Sequence, residues 1–325
     1  LSPSFGLKPG CRNMTQKRTE PSSQVAILLS LYNGEAYLDA QLTSILAQTH
    51  PDWTLYWRDD ASSDFSRSRM QAFAQGPGQG RCIEITSRQE RLGVAGSYAH
   101  LLDVVPSTPY VAFADQDDIW EPQKLEWALD TVARCPSHKP TLYCARQYLT
   151  NADLVIFQES APLRRKPNFP AALTQNIATG HTVLLNAATH TLLRNNPPPP
   201  SVLHDWWAYL LTAAAGGEVI FDSRCVSYYR QHAHNTVGAT DSFIKRGWAA
   251  CRRGPKVFMT IFRSNVTHLL NQPENLSPPA LRLLKAIAAA RTFPARLRTL
   301  FRYSSLRRQR FSETVVFRLW FLFSR

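Results

Sequence analysis

The sequence predicts an α/β fold: a mostly parallel sheet flanked by helices, with a basic helical extension at the C-terminal end. Three observations carry that prediction. Continuous apolar runs such as VAILLSL (25–31) and PYVAFA (109–114) read as strands buried on both faces, as parallel sheets require. Between such runs, apolar residues recur at helical spacing, as at Leu38, Leu42, Ile45 and Leu46. Strand and helix then alternate, which is the pattern of parallel strands joined by crossovers.

Taken in order, 25–31 is the first strand, YNGE a turn, and 38–46 the first helix. WTLYW (53–57) is a second strand and CIEIT (82–86) a third. Gly93 and Gly96 fall in a loop before a short helix at 98–105. The fourth strand is 109–114, and a helix begins at Pro122, a residue suited to a first helical turn. After about residue 140 the pattern is less regular. LVIFQ (154–158), TVLLN (182–186), EVIFD (218–222) and VSYYRQH (226–232) read as short strands, and NNPPPPS (195–201) as a rigid linker. HDWWAYLLTAAAGG reads as a helix stopped by glycine. Beyond Asp241 the chain reads as helical, with breaks at Gly254–Pro255, Pro278–Pro279 and Pro294. The expected organisation is a disordered leader over 1–24, an α/β domain over 25–240 and a basic helical region over 241–325.

Composition narrows the classes. The chain has 325 residues, 44% hydrophobic and 19% charged, which is globular. No apolar run approaches the roughly 20 residues of a spanning helix, and residues 1–24 lack the apolar core of a signal peptide. The six cysteines form no CxxC pair, so neither a zinc site nor a disulfide framework is expected; reduced thiols in a cytosolic protein are. The net charge of +13 is unevenly placed: residues 240–325 hold 17 Lys or Arg against three acids. A basic tail suits a membrane surface or nucleic acid.

Two knots of acid stand at matching places. Asp59 and Asp60 follow the second strand, and Asp115, Asp117 and Asp118 follow the fourth. Ligands of open α/β sheets bind outside the carboxyl ends of strands, and adjacent carboxylates need a positive partner. A hard divalent cation such as Mg²⁺ or Mn²⁺, bridging carboxylates to phosphates, would supply it. The plainer reading is that these are loop residues and helix caps.

LSLYNGEAYLDAQLTSILAQTHPDWTLYWRDDASSD resembles the opening of family 2 glycosyltransferases, which have the Rossmann-like GT-A fold. FADQDDIW resembles their DxD element, in the form found among rhamnosyltransferase-like members, and GHTVLLN, HDWW and YYRQHAHNTVG resemble later blocks. The resemblance covers roughly 25–240 and implies a nucleotide-sugar donor. Leu31, Tyr32, Asn33 and Gly93 would then line the nucleotide pocket. Asp59 or Asp60 would bond the base. Asp115 and Asp117 would bracket the metal and the ribose. The chain departs from the family pattern at Leu31, Ala61, Arg91 and Ser97.

Sugar transfer to an alcohol needs a general base. By its place in HDWW, Asp205 resembles the family's base; its other reading is a helix N-cap. A carboxylate among aromatics would have a raised pKa. Trp206 and Trp207 either fill the core or stack on an acceptor sugar, with His204 and His181 placed near the acceptor. Arg230 would meet the diphosphate and His232 the metal, beside Asp117.

In the tail, leucines, phenylalanines and arginines interleave at roughly helical spacing over 280–325. Such helices lie in a membrane interface or pack on the catalytic domain. Nucleic acid is not expected, since no recognition motif accompanies the charge.

The resulting expectation is an inverting, metal-dependent hexosyltransferase of cell-surface polysaccharide synthesis. It would be cytoplasmic, peripheral on the inner face of the membrane, and use a dTDP- or UDP-sugar and a saccharide or lipid-linked acceptor. Two rivals stand beside it: a metal-dependent phosphoryl or nucleotidyl transferase, and a non-catalytic module binding an anionic membrane surface.

Overall fold

A computed structural model describes residues 23–200, 202–232 and 243–324. Residues 1–22 of the expected leader lie outside the described residues, as does the stretch 233–242 after His232. The elements run β1 (Val25–Leu31), α1 (Leu38–Leu46), β2 (Trp53–Asp59), α2 (Ser66–Gln75), β3 (Cys82–Glu84), α3 (Gly93–Val104) and β4 (Tyr110–Ala114). There follow β5 (Ile119–Trp120), α4 (Lys124–Val132), β6 (Thr141–Thr150), β7 (Ile156–Glu159), α5 (Phe169–Thr174), β8 (Leu184–Asn186), α6 (Ala187–Asn195), α7 (His204–Ala214) and β9 (Glu218–Arg230). The chain closes with α8 (Phe243–Leu270), α9 (Pro278–Ala289), α10 (Phe293–Arg302) and α11 (Phe311–Phe323).

The strands form one sheet in the order β3-β2-β1-β4-β8-β6-β9-β5, with β7 on β6. Its first half is parallel throughout, β1 pairing with both β2 and β4. Beyond β4 the sheet is mixed: β8 is antiparallel to β4 and β6, while β6 and β9 are parallel. The parallel character that the apolar runs announce is therefore confined to the half that carries them.

Strand periodicity divides the interior in two. Along β1, Ala26 and Leu28 face one core, and Val25, Ile27, Leu29 and Leu31 face the other. The second core is closed by α1 and α4 through Leu38, Leu42, Leu125 and Leu129. The first is closed by α3 and α7, and then by the C-terminal helices through Phe262, Leu283, Leu300 and Phe317. So the basic tail is packed on the catalytic domain, sharing one core with the strands.

Several elements differ from the sequence reading; α8, for one, runs unbroken from Phe243 to Leu270 through the break expected at Gly254–Pro255, with Pro255 inside the helix. EVIFD and VSYYRQH are not two strands but one of 13 residues, β9. The polar Asp222, Ser223 and Arg224 that divide the pattern sit at a register shift against β6, where Asp222 and Arg224 pair at 2.5 Å. β6, in the middle of the sheet, shows no clean apolar alternation, because Arg146 and Gln147 interrupt it. And α3 begins at Gly93 itself rather than after a glycine loop.

Candidate active site

Because β1 lies between β2 and β4 and parallel to both, the carboxyl ends of all three open on one edge. That edge gathers Tyr32 and Asn33, Asp59 and Asp60, and the DQDD loop. Gln116 joins the first and last of these: its side-chain amide donates to the Tyr32 carbonyl at 2.8 Å, and its oxygen accepts from the Tyr32 N–H at 2.9 Å. Asn33 adopts φ 48 and accepts from the Ser63 N–H at 2.8 Å, which ties the first loop to the second. Tyr32 is exposed, and the Arg91 guanidinium lies over its ring at 4.0 Å.

Each acid knot contains one member turned inward. Asp60 is buried against Arg58, 2.6 Å away, and accepts from the Leu92 and Gly93 N–H groups at 2.6 and 2.8 Å. Burial would raise its pKa, yet the Leu92 N–H, Arg58 and Ser97 together hold it below the ordinary value. Arg58 also donates to Ser97 and to the carbonyls of Arg88 and Glu90. Ser97 is thus an internal partner of Arg58, and Asp60 clamps the loop before α3 rather than meeting a base. Gly93 serves that clamp, since its φ of 69 turns the N–H onto Asp60 in a conformation that favours glycine. Asp59 is the outward member: one oxygen accepts from the Ser62 N–H at 3.0 Å, and the other is buried without a hydrogen-bond partner among the described residues.

In the DQDD loop the inward member is Asp118, fully buried with its carboxylate 2.5 Å from Nδ1 of His181. His181 lies in a 3-10 turn (Gly180–Thr182), is itself fully buried, stacks on Tyr229, and shares Nε2 with Gln147 at 3.0 Å. Burial alone would lower the His181 pKa, but Asp118 and Asp115 push it up to about 10. Asp115 is 3.4 Å from the same nitrogen and also accepts from the Tyr98 hydroxyl at 3.1 Å. Its pKa lies below the ordinary value: burial works against this, and His181, His204 and Tyr98 outweigh burial. The positive partner of the buried acid is therefore a histidine. His181 is accordingly not an acceptor residue.

Asp117 is partly exposed, and its carboxylate meets Nε2 of His232 at 2.9 Å. Arg230 sits behind this pair. Its Nε donates to the Asp117 carbonyl at 3.0 Å, its Nη1 donates to the Ala152 carbonyl, and its backbone N–H donates to Asp118. It is buried, so it braces the loop instead of reaching toward a diphosphate.

Two groups of donor atoms bear on a metal. Asp115, Asp118 and His181 place ligand atoms within 4.8 Å of one another. The 2.5 Å contact of Asp118 and His181 is shorter than the ~3 Å between neighbouring ligands of an ion bound at ~2.1 Å, and suits a proton instead. Asp117 and His232, partly open to solvent, offer a carboxylate oxygen and an imidazole nitrogen, donor types that a divalent ion takes.

Asp205 stands in the first turn of α7, with Leu203 at the N-cap position, so it is not the cap. It is 9% exposed and accepts from the Trp206 N–H at 2.5 Å. Burial pushes its pKa up to about 7, against hydrogen bonds from Trp206, Gly180 and Asn176, with the Asp115 charge adding to the rise. Its neighbour His204 is buried, stacked on Tyr98 at 3.8 Å, and depressed by burial to about 4. A Cβ at residue 180 would come within 3.0 Å of Nε2 of His204, which accounts for Gly180. His204 thus underlies the site and does not face an acceptor. Of the tryptophans, Trp207 is core and donates to the Asn196 carbonyl at 2.7 Å, while Trp206 is partly buried and donates to the Ala172 carbonyl at 2.8 Å. Leu31 is likewise core, and only its carbonyl reaches the edge, where it accepts from the Asp60 N–H at 2.8 Å.

The fold and the strand-edge acids are similar to those of GT-A glycosyltransferases. Residues 26–178, just under half of the chain, match the model described as Glycosyl transferase family 2. Among curated proteins it is similar to the UDP-Glc:alpha-D-GlcNAc-diphosphoundecaprenol beta-1,3-glucosyltransferase WfgD of Escherichia coli. The two are 32% identical over 34% of this chain and 41% of that one. It is also similar to the dTDP-rhamnosyl transferase RfbG of Shigella flexneri, 31% identical over 35% of this chain and 42% of that one. The chain thus matches less than half the length of either relative. Among solved structures, Staphylococcus aureus TarS 1-349 in complex with UDP-GlcNAc shares the fold. Its TM-score is 0.56 at 15% identity, over 86% of this chain and 73% of that one. No described helix is long and apolar enough to cross a membrane.

Proposed function

We propose that the protein is an inverting glycosyltransferase that moves a hexose or deoxyhexose from a nucleotide sugar to a hydroxyl of a saccharide acceptor. The observation that carries this reading is Asp205: a buried carboxylate raised to about 7, close enough to Asp115 to feel its charge, at the edge where the outward acids meet. A carboxylate so tuned takes a proton at neutral pH. As the acceptor oxygen bonds to the anomeric carbon, its proton passes to Asp205 and the bond to the nucleoside diphosphate breaks. Inversion follows from this single displacement.

Asp117 and His232 would hold a divalent ion, Mg²⁺ or Mn²⁺, which neutralises charge on the leaving diphosphate. Asp59, with its unpartnered oxygen, is the residue suited to an N–H of the base, and Asp115 to the ribose. The names of the relatives support a UDP- or dTDP-sugar donor, and that of the glucosyltransferase a lipid-linked acceptor. A cytoplasmic enzyme at the inner face of the membrane, working in cell-surface polysaccharide synthesis, fits both.

The test is Asp205→Asn. Nucleoside diphosphate binding should persist while transfer falls by about 10²–10⁴. In the wild type, transfer should rise with pH through about 7, because only the ionised base accepts the proton. Full transfer by the variant would remove Asp205 from the role.

A further inference from the structure

The C-terminal helices do two things at once. Their inner side fills the shared core through Leu300, Phe317 and Phe321. Their outer side is apolar as well. On α11, Phe311, Val315, Leu319 and Phe323 follow one another at four-residue spacing, which is one line along a helix. All four are exposed, Phe311 at 77% and Phe323 at 69%. On α10, Phe301 is 78% exposed and Phe293 touches Phe323, ring centroids 5.5 Å apart. The helices run antiparallel, since Arg296 near the start of α10 donates to the Leu322 carbonyl at 3.0 Å, and Arg318 to that of Ser304 at 3.0 Å. The two apolar lines thus join into one face, which a soluble surface ordinarily avoids.

The charge around this face selects its occupant. Residues 278–323 hold ten basic side chains and one acid, Glu313, which Arg308 engages at 3.5 Å. Arg298, Arg302 and Arg307 are exposed around the face. A second copy would bring the same positive charge to the contact and be repelled. Apolar side chains set among arginines match the boundary of a bilayer, where acyl chains begin just beneath anionic headgroups.

We propose that α10 and α11 dock the protein on an anionic lipid surface, with Phe301, Phe311, Leu319 and Phe323 entering the interface and the arginines holding the headgroups. This rests on the membrane placement proposed above and names the surface that achieves it.

The test is flotation of the full chain with phosphatidylcholine vesicles, with and without one-third phosphatidylglycerol. The wild type should partition onto the anionic vesicles at least about tenfold better than onto neutral ones, and lose that advantage in 0.5 M NaCl. F301S/F311S/F323S and, separately, R298E/R302E/R307E should each lower partition at least about tenfold. Both should keep the wild-type thermal shift with UDP or dTDP and Mn²⁺. Equal binding to neutral vesicles, no binding, or binding untouched by either variant would overturn the proposal. So would a dimer, seen by light scattering, that F301S/F311S/F323S converts to a monomer. A nucleotide shift without vesicle binding defeats the docking surface alone, and vesicle binding without a nucleotide shift defeats the enzymatic reading alone.

Discussion

The two acid knots solve one problem with different chemistry. Each follows a strand, each buries one carboxylate beside a cation, and each leaves at least one carboxylate on the working edge. After β2 the cation is Arg58, on the strand itself and permanently charged. After β4 it is His181, brought from a distant turn and charged only while it holds a proton. The lesson is that adjacent acids here divide their places: Asp60 and Asp118 fix loops, while Asp59, Asp115 and Asp117 stay at the strand edge.

The division can be broken most forcefully at the outward member. Asp117→Asn should lower transfer by roughly two to three orders of magnitude and abolish any Mn²⁺ dependence of nucleoside diphosphate binding, with the melting temperature little changed. Loss of folding instead, seen by circular dichroism, would mean that Asp117 is structural like its neighbour.

At the inward members the expected effect is on stability. Arg58→Met strands Asp60 in the interior and should cost on the order of 3–5 kcal/mol in urea unfolding. His181→Phe strands Asp118 and should cost less, because Asp118, pushed up by burial to about 7, can take the proton itself. pH sharpens the contrast. The His181 pKa is raised in the folded state to about 10, so its contribution is full below about 6.5 and fades as pH rises toward 10. The Asp60 pKa is lowered, so its contribution is present above its ordinary value of 3.8 and is lost only as pH falls below that. Between pH 7 and 10 the penalty of His181→Phe should therefore shrink while that of Arg58→Met stays level. Parallel curves would show that the two pairs are not different in kind.

The smallest effect is expected at the clamp's far end. Gly93→Ala places a side chain at φ 69 and should cost about 1 kcal/mol. If the clamp positions Arg91 over Tyr32 for the donor, it should also raise the donor KM more than it lowers kcat.

Much of this was legible in the chain. The outward acids stand at strand ends because VAILLSL, WTLYW and PYVAFA are apolar enough to fix their strands, and carboxylates just past such strands have few other places to go. Asp205 stands out in HDWW, and its raised pKa comes from burial, with the Asp115 charge adding to it. The counter-charges were not. Arg58 sits in WTLYWRDD as one more polar residue, although an arginine closing an apolar strand directly before two acids was a usable signal. His181 could not be matched with Asp118, since 62 residues of chain lie between them and the pairing of β8 with β4 brings them together. The side chains of Trp207 and Leu31 are core, which the resemblance does not reveal, because it places a residue in a motif but does not say which way its side chain points. β6 escaped notice because Gln147 and Arg146 serve His181 and Glu159, partners that spoil an apolar alternation.

One core joining Ala26 to Phe321 has a consequence for how the protein is made. Chains are synthesised from the N-terminus at about 5–20 residues per second, so the first strand waits roughly 15–60 seconds for α11 to emerge and cover it. Through that interval the strands are available but unsealed. The growing chain is at its most aggregation-prone just before α11 arrives, and a cut after residue 240 would hold it there permanently.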